Sequence, residues 1–310
     1  MTSYNTDGTV GPWARDKLKI LGDYLHAYTT ILRKQNWCKG YFYVDAFAGA
    51  GRAKLRKPHG ERDDTDDLLS AVSDYAAEDP EEKSFLNGSP LVALDIEHPF
   101  TRYLFIDNNP ERVRKLEAIK VKYAERRNVE VTSNDASEAI TDFIVTSGVN
   151  WSTHRGVIFL DPYGMQVRWQ IIEQIASTNA LEIILNLPIG MAVQRLLPRS
   201  GEFTPGRRIN LTEFFGSADW EDVVYWRASN LFGEEDVRKA EDSGRRLALW
   251  YHDRLRSLFG YSAPPRLIKN SHGGHLYYLM FAGPNRNGAK IARHVLMKQG
   301  DSLSRTRRDR

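Results

Sequence analysis

The chain has 310 residues, of which 41% are hydrophobic and 27% are charged, and its formal net charge is +3. This composition is typical of a soluble globular protein with one elaborated domain or two small ones. It excludes internal disulfides and cysteine-ligated clusters because Cys38 is the only cysteine, and no apolar run approaches the ~20 residues that span a bilayer. Segment 1–15 is polar and lacks a signal-peptide core, so we expect a cytoplasmic protein with no membrane partner.

An amphipathic helix and a strand are the first predicted elements. Leu18, Leu21, Leu25, Tyr28 and Leu32 recur every three or four residues, which predicts a helix over 13–34. The apolar run that follows it, 41–44, predicts the first strand of a sheet.

The turn after this strand is the most informative stretch of the sequence. It has the form D-x-F-x-G-x-G and consists of Asp45, Ala46, Phe47, Ala48, Gly49, Ala50 and Gly51. Gly49 and Gly51 lack a Cβ, so the backbone can turn tightly and approach a ligand closely. Cofactor-binding α/β domains often open this way, and we predict that the turn binds a cofactor. The polar segment 52–67 is either a mobile loop over the sheet edge or a solvated insertion.

Strands and helices then alternate along the chain. Strands are predicted over 103–107, 129–132, 156–161 and 181–187, and helices over 111–126, 136–147 and 169–177. This alternation predicts an α/β fold with a mostly parallel, Rossmann-like sheet and helices on both faces. The strand 181–187 is apolar except for Glu182 and Asn186.

The rest of the chain is predicted to be a helical insertion and a return to the sheet. Helices are predicted over 211–215, 219–226 and 237–258, and two strands over 267–270 and 276–281, the second antiparallel. The predicted organisation is an N-terminal helical segment at 1–40, a Rossmann-like domain at 41–188 and 264–298, an insertion at 189–263, and a basic tail at 299–310. His272 and His275 lie in the turn between the last strands without a third ligand nearby, so no metal site is predicted.

Basic residues of the insertion form a candidate nucleic-acid surface. Arg199, Arg207 and Arg208 follow the strand 181–187, close to the predicted cofactor edge. They are interpreted either as phosphate contacts, to DNA or RNA, or as side chains that solvate a loop.

Acids at the ends of two further strands suit a nucleoside cofactor. Asp107, followed by Asn108, is placed to accept hydrogen bonds from both ribose hydroxyls, or else to cap the next helix. Asp135 and Ala136 follow the third strand, where the carboxylate can accept from an adenine amine or can cap a helix.

The sequence Asp161-Pro162-Tyr163 is the candidate catalytic motif. A carboxylate, a rigid proline and an aromatic ring at the end of a strand make a slot in which the ring stacks on a planar group and the acid accepts from an amine. The alternative is a structural turn. Asn186 gives a weaker signal for the other wall of the slot.

These segments resemble the class I S-adenosylmethionine-dependent methyltransferases. The resemblance implies that Asp45 to Gly51 contacts the methionine part of the cofactor, that Asp107 binds the ribose, and that Asp135-Ala136 contacts the adenine. Asp161-Pro162-Tyr163 is similar to the catalytic motif of enzymes that methylate nucleobase amines. The adenine form has two prolines, whereas the single proline here is more similar to enzymes that act on guanine N2 in tRNA.

The chain as a whole resembles the three-Cys-motif partner proteins, TcmP, from about residue 13 to 297. The motifs that carry this resemblance are 44–49, Gly88-Ser89-Pro90, 159–165, 187–191 and 276–281. Members are bacterial, and the resemblance implies a partner with three cysteines spaced like a radical S-adenosylmethionine cluster.

Two functions from different classes follow. The first is a methyltransferase that transfers a methyl group from S-adenosylmethionine to a nucleobase amine. The second is a non-catalytic specificity subunit of the three-Cys partner that keeps the fold. A nicotinamide-dependent oxidoreductase fits less well, because the first turn is not the G-x-G-x-x-G pyrophosphate cradle.

Overall fold

The computed structural model describes residues 9–10, 13–55, 85–229, 235–270 and 273–297. Its strands are β1 (Thr9–Val10), β2 (Gly40–Asp45), β3 (Arg52–Leu55), β4 (Phe85–Asn87), β5 (Arg102–Asp107), β6 (Val129–Ser133), β7 (His154–Leu160), β8 (Leu181–Leu187), β9 (Tyr225–Ser229), β10 (Glu235–Lys239), β11 (Tyr261–Lys269) and β12 (His275–Gly283). Its helices are α1 (Trp13–Leu32), α2 (Ser89–Leu94), α3 (Pro110–Tyr123), α4 (Ala136–Thr146), α5 (Trp169–Ser177), α6 (Gln194–Leu196), α7 (Pro205–Phe215), α8 (Trp220–Val224), α9 (Ser243–Phe259) and α10 (Arg286–Met297), with a π-helical turn at Ile189–Val193.

A seven-stranded sheet organises the fold. Its strand order is β11-β12-β8-β7-β2-β5-β6. Neighbouring strands are parallel from β8 to β6, whereas β12 is antiparallel to both β8 and β11. The predicted fold class is confirmed: the order of the first five strands is the Rossmann order 3-2-1-4-5, and a reversed C-terminal strand extends it.

Helices cover both faces of this sheet because its strands are apolar on both sides. Along β7, Ile158 and Leu160 join the cluster that includes α4, α5 and α9, and Val157 and Phe159 join the cluster that includes α1, α3 and α10. This alternation is the two-residue period of a strand. The carboxyl ends of the five parallel strands therefore lie along one edge, between the two helical layers.

The helix α1 packs along one face of the sheet. Its predicted apolar positions, from Leu18 to Leu32, are buried in the same cluster as Tyr43 of β2 and Phe281 of β12. The charged residues between them, such as Lys19, stay exposed. The spacing of apolar residues in the sequence thus places α1 correctly.

Two local predictions were wrong. Residues 225–226 and 237–239, predicted as helix, belong to β9 and β10, which pair in an antiparallel hairpin. Part of the segment predicted as a loop, β3, pairs with β1 and β4 in a small three-stranded sheet. Residues 56–84 and 298–310, which include most of that segment and the basic tail, lie outside the described residues. Among the residues described, no helix is both long and apolar enough to cross a membrane.

Candidate functional site

A cleft of about 110 Å³ opens at the carboxyl edge of the sheet, beside the turn that follows β2. It brings together six of the residues predicted from the sequence: Phe47, Ala48, Gly49, Gly51, Asp161 and Tyr163. Helix α1 contributes Lys17 and helix α3 contributes Arg112. The volume is below the roughly 300–1,000 Å³ of ordinary small-molecule pockets, so the described residues alone do not enclose a whole ligand of that size.

The turn after β2 holds a tight, left-handed backbone. Gly49 has φ 63° and Gly51 has φ 76°, which favour glycine at both positions. A Cβ at Gly51 would overlap the side chain of Ile119, whereas the space beside Gly49 is open. The positive φ favours glycine at position 51, and Gly49 leaves room for a ligand to approach the backbone.

Asp45 is a completely buried acid at the base of this turn. Its Oδ2 accepts a hydrogen bond from the Tyr43 hydroxyl at 3.1 Å, and its Oδ1 has no partner among the described residues. Burial raises the pKa of Asp45 to about 7; a hydrogen bond from Ser89 lowers it, and the charge of Asp161 raises it further. Asp45 does not line the cleft, and its place is at the base of the turn that does.

Asp161, the first residue after β7, is held by two side chains from different elements. Its Oδ2 forms an ion pair with the Lys17 ammonium, and its Oδ1 accepts from Asn186 Nδ2 at 2.7 Å. The Lys17 and Asp161 side chains are only 13% and 23% exposed. Two polar atoms near this pair, Asn186 Oδ1 and Tyr277 Oη, are buried without partners among the described residues. The Lys17 ammonium also lies 5.6 Å from the Tyr277 ring centroid.

Tyr163 is exposed, as the slot interpretation requires. Its side chain is 72% accessible, while the preceding Pro162 is buried. The Arg112 guanidinium lies 5.6 Å from the Tyr163 ring centroid, and Arg112 Nη1 is 3.7 Å from Asp107 Oδ2. Arg112 therefore links the candidate stacking residue to the candidate ribose acid.

Asp107 contacts the glycine turn rather than capping a helix. Its Oδ2 accepts from Gly49 N at 3.0 Å and its Oδ1 accepts from Asn109 N at 2.8 Å. The cap of α3 is Asn109, which accepts from the backbone of the first turn, so the helix-cap interpretation of Asp107 was wrong. Asn108 is exposed beside it. Asp107 thus holds the glycine turn in place, and its contact with a ribose stays a prediction.

Asp135 caps a helix, which is one of the two roles that its sequence position allowed. It is the N-cap of α4, and its side chain accepts from Ser137 N at 2.8 Å. Asp135 is exposed and Ala136 is buried, and neither lines the cleft. A contact with adenine stays a prediction for this pair.

The three arginines predicted to bind nucleic acid are exposed but outside the cleft. Arg208 forms an ion pair with Glu221 at 3.0 Å and lies 5.7 Å from the Phe203 ring centroid. Arg199 precedes α7 and Arg207 lies within it. Their role in nucleic-acid binding stays a prediction.

Sequence reasoning missed three residues that shape the cleft. Lys17 and Arg112 lie on the polar faces of helices, where a functional lysine or arginine looks like any solvated one. Ser89 precedes Pro90, where a helix cap is expected, but the cap position is Gly88 and Ser89 lines the cleft. Within the described ranges, no group of three or more His, Cys, Asp and Glu side chains could hold a metal ion. His272 lies outside those ranges.

Comparisons with known proteins give only distant structural similarity. No family model and no curated protein matches the chain. Among solved structures, protein LPL1258 of Legionella pneumophila, described under DUF519, aligns with a TM-score of 0.48 and 14% identity over 90% of each chain. The Escherichia coli protein yhhF, provisionally described as a methyltransferase, aligns with a TM-score of 0.33 and 10% identity over 84% of this chain and 86% of that one. Protein PH0226 of Pyrococcus horikoshii aligns with a TM-score of 0.32 and 11% identity over 87% and 90%. With TM-scores below 0.5, these similarities carry no conclusion about activity.

Proposed function

We propose that this chain is an S-adenosylmethionine-dependent methyltransferase that acts on an amino group of a nucleobase in nucleic acid. The observation that carries the proposal is the position of Asp161, a carboxylate fixed by Lys17 and Asn186 in the same cleft as the open glycine turn and an exposed Tyr163. A methyl donor and a planar amine need adjoining sites of this kind.

The residues of the turn fit the methyl donor. The open space beside Gly49, in the turn that begins at Asp45, would accommodate its methionine part, and Asp107 would accept from its ribose. When bound, S-adenosylmethionine supplies an electrophilic methyl group on a positively charged sulfur.

Asp161 and Tyr163 would position the acceptor. The carboxylate accepts a hydrogen bond from the substrate amine and aims its lone pair, while the Tyr163 ring stacks on the base. Lys17 occupies one carboxylate oxygen in the free protein, and Asn186 keeps the other in place. A base within a duplex would have to be flipped out to reach Tyr163.

A specificity subunit for a three-Cys radical S-adenosylmethionine protein, as in the TcmP family, is the second candidate. The ion pair between Lys17 and Asp161 and the small volume of the cleft favour it, since both leave little free space at the motif. In this case the cleft would bind ligands without transferring a methyl group.

The deciding experiment has two stages. Calorimetry with S-adenosylmethionine and its demethylated product tests the cofactor, and we expect micromolar affinity, roughly −8 kcal/mol. Asp107→Ala should weaken this affinity, and an unchanged affinity would refute the hypothesis that Asp107 binds the ribose. Transfer of labelled methyl groups to bulk RNA and bulk DNA then separates the two candidates. Binding without transfer, in the presence and absence of lysate, would favour the specificity subunit.

A further inference from the structure

A second concave region lies at the opposite, amino edge of the sheet, among the end of α1, the start of β8 and the start of α10. Two adjoining cavities of about 290 and 260 Å³ share Tyr28, Leu32, Trp37, Glu182 and Asn285, and we name them together the basal pocket. Each is more than twice the volume of the cleft at the carboxyl edge. Together they reach the range of pockets that bind small molecules.

Glu182 is the innermost polar group of the basal pocket. It is 4% exposed and accepts a hydrogen bond from the Tyr24 hydroxyl. Burial raises its pKa to about 7. Helix α10 passes over the carboxyl group at Gly288, where any Cβ would overlap it. Near neutral pH a large fraction of this group is protonated, so the oxygen that Tyr24 does not occupy can donate a hydrogen bond to a ligand.

The buried hydroxyl of Tyr28 lacks a hydrogen-bond partner among the described residues. Tyr28 is only 6% exposed and lines both cavities, and its Oη has no hydrogen-bond partner in the described part of the chain. Buried polar groups in folded proteins nearly always have one, because an unpaired hydroxyl out of water is costly. A ligand in the basal pocket would supply it.

The mouth of the pocket offers a planar ring and cations. Trp37 is 45% exposed, and the Arg155 guanidinium lies 4.5 Å from its ring centroid. Arg286, at the start of α10, lines the same cavity. An aromatic surface next to two arginines suits a stacked ring that carries an anion.

We propose that the basal pocket binds a nucleoside monophosphate unit, with the edge of the base on Glu182 and Tyr28, its ring on Trp37, and its phosphate by Arg155 and Arg286. Nucleobase edges carry adjacent donors and acceptors, and these pair with a protonated carboxyl group without creating a buried charge. A primary ammonium would instead need an ionised Glu182, which burial opposes. The unit has two sources, a free nucleotide or the 5′ end of a nucleic-acid chain.

Calorimetry on the full chain tests the proposal with each of the four nucleoside monophosphates and with a 5′-phosphorylated oligonucleotide. Saturating S-adenosylhomocysteine is present so that nucleotide binding in the cleft at the carboxyl edge does not contribute to the measured heat. At least one of these ligands should bind with a Kd below about 1 mM. Binding of the mononucleotide identifies the free source, and binding of the oligonucleotide alone identifies the chain end.

Two variants locate the binding. Tyr28→Phe removes only the unpartnered hydroxyl, so the protein should fold as before and lose about 5-fold in affinity. Trp37→Ala should lose roughly 5- to 100-fold through lost stacking. Trp226→Ala is the matched control, because Trp226 is also exposed beneath an arginine, Arg246, at 4.8 Å, and it should bind like the parent.

Either of two results would overturn the proposal: no binding by any of the five ligands, or parent affinity in both Tyr28→Phe and Trp37→Ala. Neither depends on methyl transfer. If S-adenosylhomocysteine itself does not bind, the proposed activity fails, while the two variants still report on the basal pocket.

Discussion

The carboxyl and amino edges of the sheet carry similar groups in different electrostatic settings. Each has a buried acid with a pKa near 7, Asp45 at one edge and Glu182 at the other, and each acid accepts from a tyrosine hydroxyl. Each edge also has an exposed aromatic ring beneath an arginine, Tyr163 or Trp37. The groups alone therefore do not distinguish a reactive site from a binding site.

The difference lies in what surrounds each buried acid. Burial and the charge of Asp161 both raise the pKa of Asp45, and Lys17 pairs with Asp161, so the carboxyl edge holds a compact cluster of charges. Burial raises the pKa of Glu182, whereas the hydrogen bond from Tyr24 and the charge of Arg155 lower it, and no second acid among the described residues raises it. We infer that the carboxyl edge is suited to a charged donor and a reacting amine, and the amino edge to a ligand that pairs with a neutral carboxyl group.

The largest effect is expected at Asp161. Asp161→Ala should reduce methyl transfer at least about 1,000-fold, because the amine loses its orientation, while affinity for S-adenosylmethionine stays nearly intact. Labelled-methyl transfer and calorimetry measure the two quantities. Asp142→Asn, which neutralises an exposed acid on α4, is the control and should transfer at the parent rate. Transfer by Asp161→Ala at that rate would refute the amine-methylation hypothesis.

The next effect is a pH dependence of stability that the two buried acids share. The pKa of Asp45 rises from 3.8 to about 7 on folding, and that of Glu182 from 4.5 to about 7. Between these values the folded chain keeps protons that the unfolded chain has released, so the free energy of unfolding falls as pH rises from about 4 to 7.

Asp45→Asn and Glu182→Gln should each remove part of that fall, on the order of 3 kcal/mol. Urea unfolding at several pH values between 4 and 8 measures it. If the slopes of both variants equal the parent slope, the two carboxyl groups ionise normally in the folded protein, and the comparison between the edges fails.

A smaller effect, on stability, is expected from Lys17, which lines the cleft at the carboxyl edge. Lys17→Met should destabilise the protein by roughly 1–3 kcal/mol, because Asp161 is left partly buried and without its cation. A double-mutant cycle with Asp161→Asn should give a coupling energy of about 0.5–3 kcal/mol, since the two side chains are in direct contact. Additive effects within about 0.5 kcal/mol would mean that the pair does not organise the cleft.

The smallest effect concerns the insertion. If Arg199 and Arg207 hold phosphates, replacing both with alanine should flatten the dependence of log affinity on log salt by up to about two units. Arg208→Ala should change the slope less, because Arg208 pairs with Glu221. Filter binding across salt concentrations gives the slopes. Equal slopes for the parent and the double variant would assign these arginines to solvation.

The parallel strands of the sheet and the glycine turn could be predicted from the sequence because both depend on local patterns. Apolar runs that end in acids correctly predicted β2, β5 and β7. The glycines at 49 and 51 correctly predicted a tight turn, and both have a positive φ in the structure. The hairpin β9–β10 could not be predicted, because its strands are short and charged residues favour helix in a propensity estimate.

The contact between Lys17 and Asp161 in the cleft could not be predicted for another reason. Lys17 and Asp161 are 144 residues apart, and no periodicity links them. The same holds for Ser89, whose position before Pro90 fits a helix cap as well as a partner for Asp45. Polar contacts between distant segments follow only from the folded arrangement of elements.

Helix α1 connects the two edges. It lies over β8, whose only two polar residues, Glu182 and Asn186, belong to opposite sites. Lys17 reaches the cleft near one end of α1 and Tyr28 lines the basal pocket near the other, about 16 Å apart along the axis at 1.5 Å per residue. A helix that moves as a rigid rod would transmit displacement between them. By thermodynamic reciprocity, a ligand that shifts α1 at one edge then changes affinity at the other by the same factor that it experiences in return.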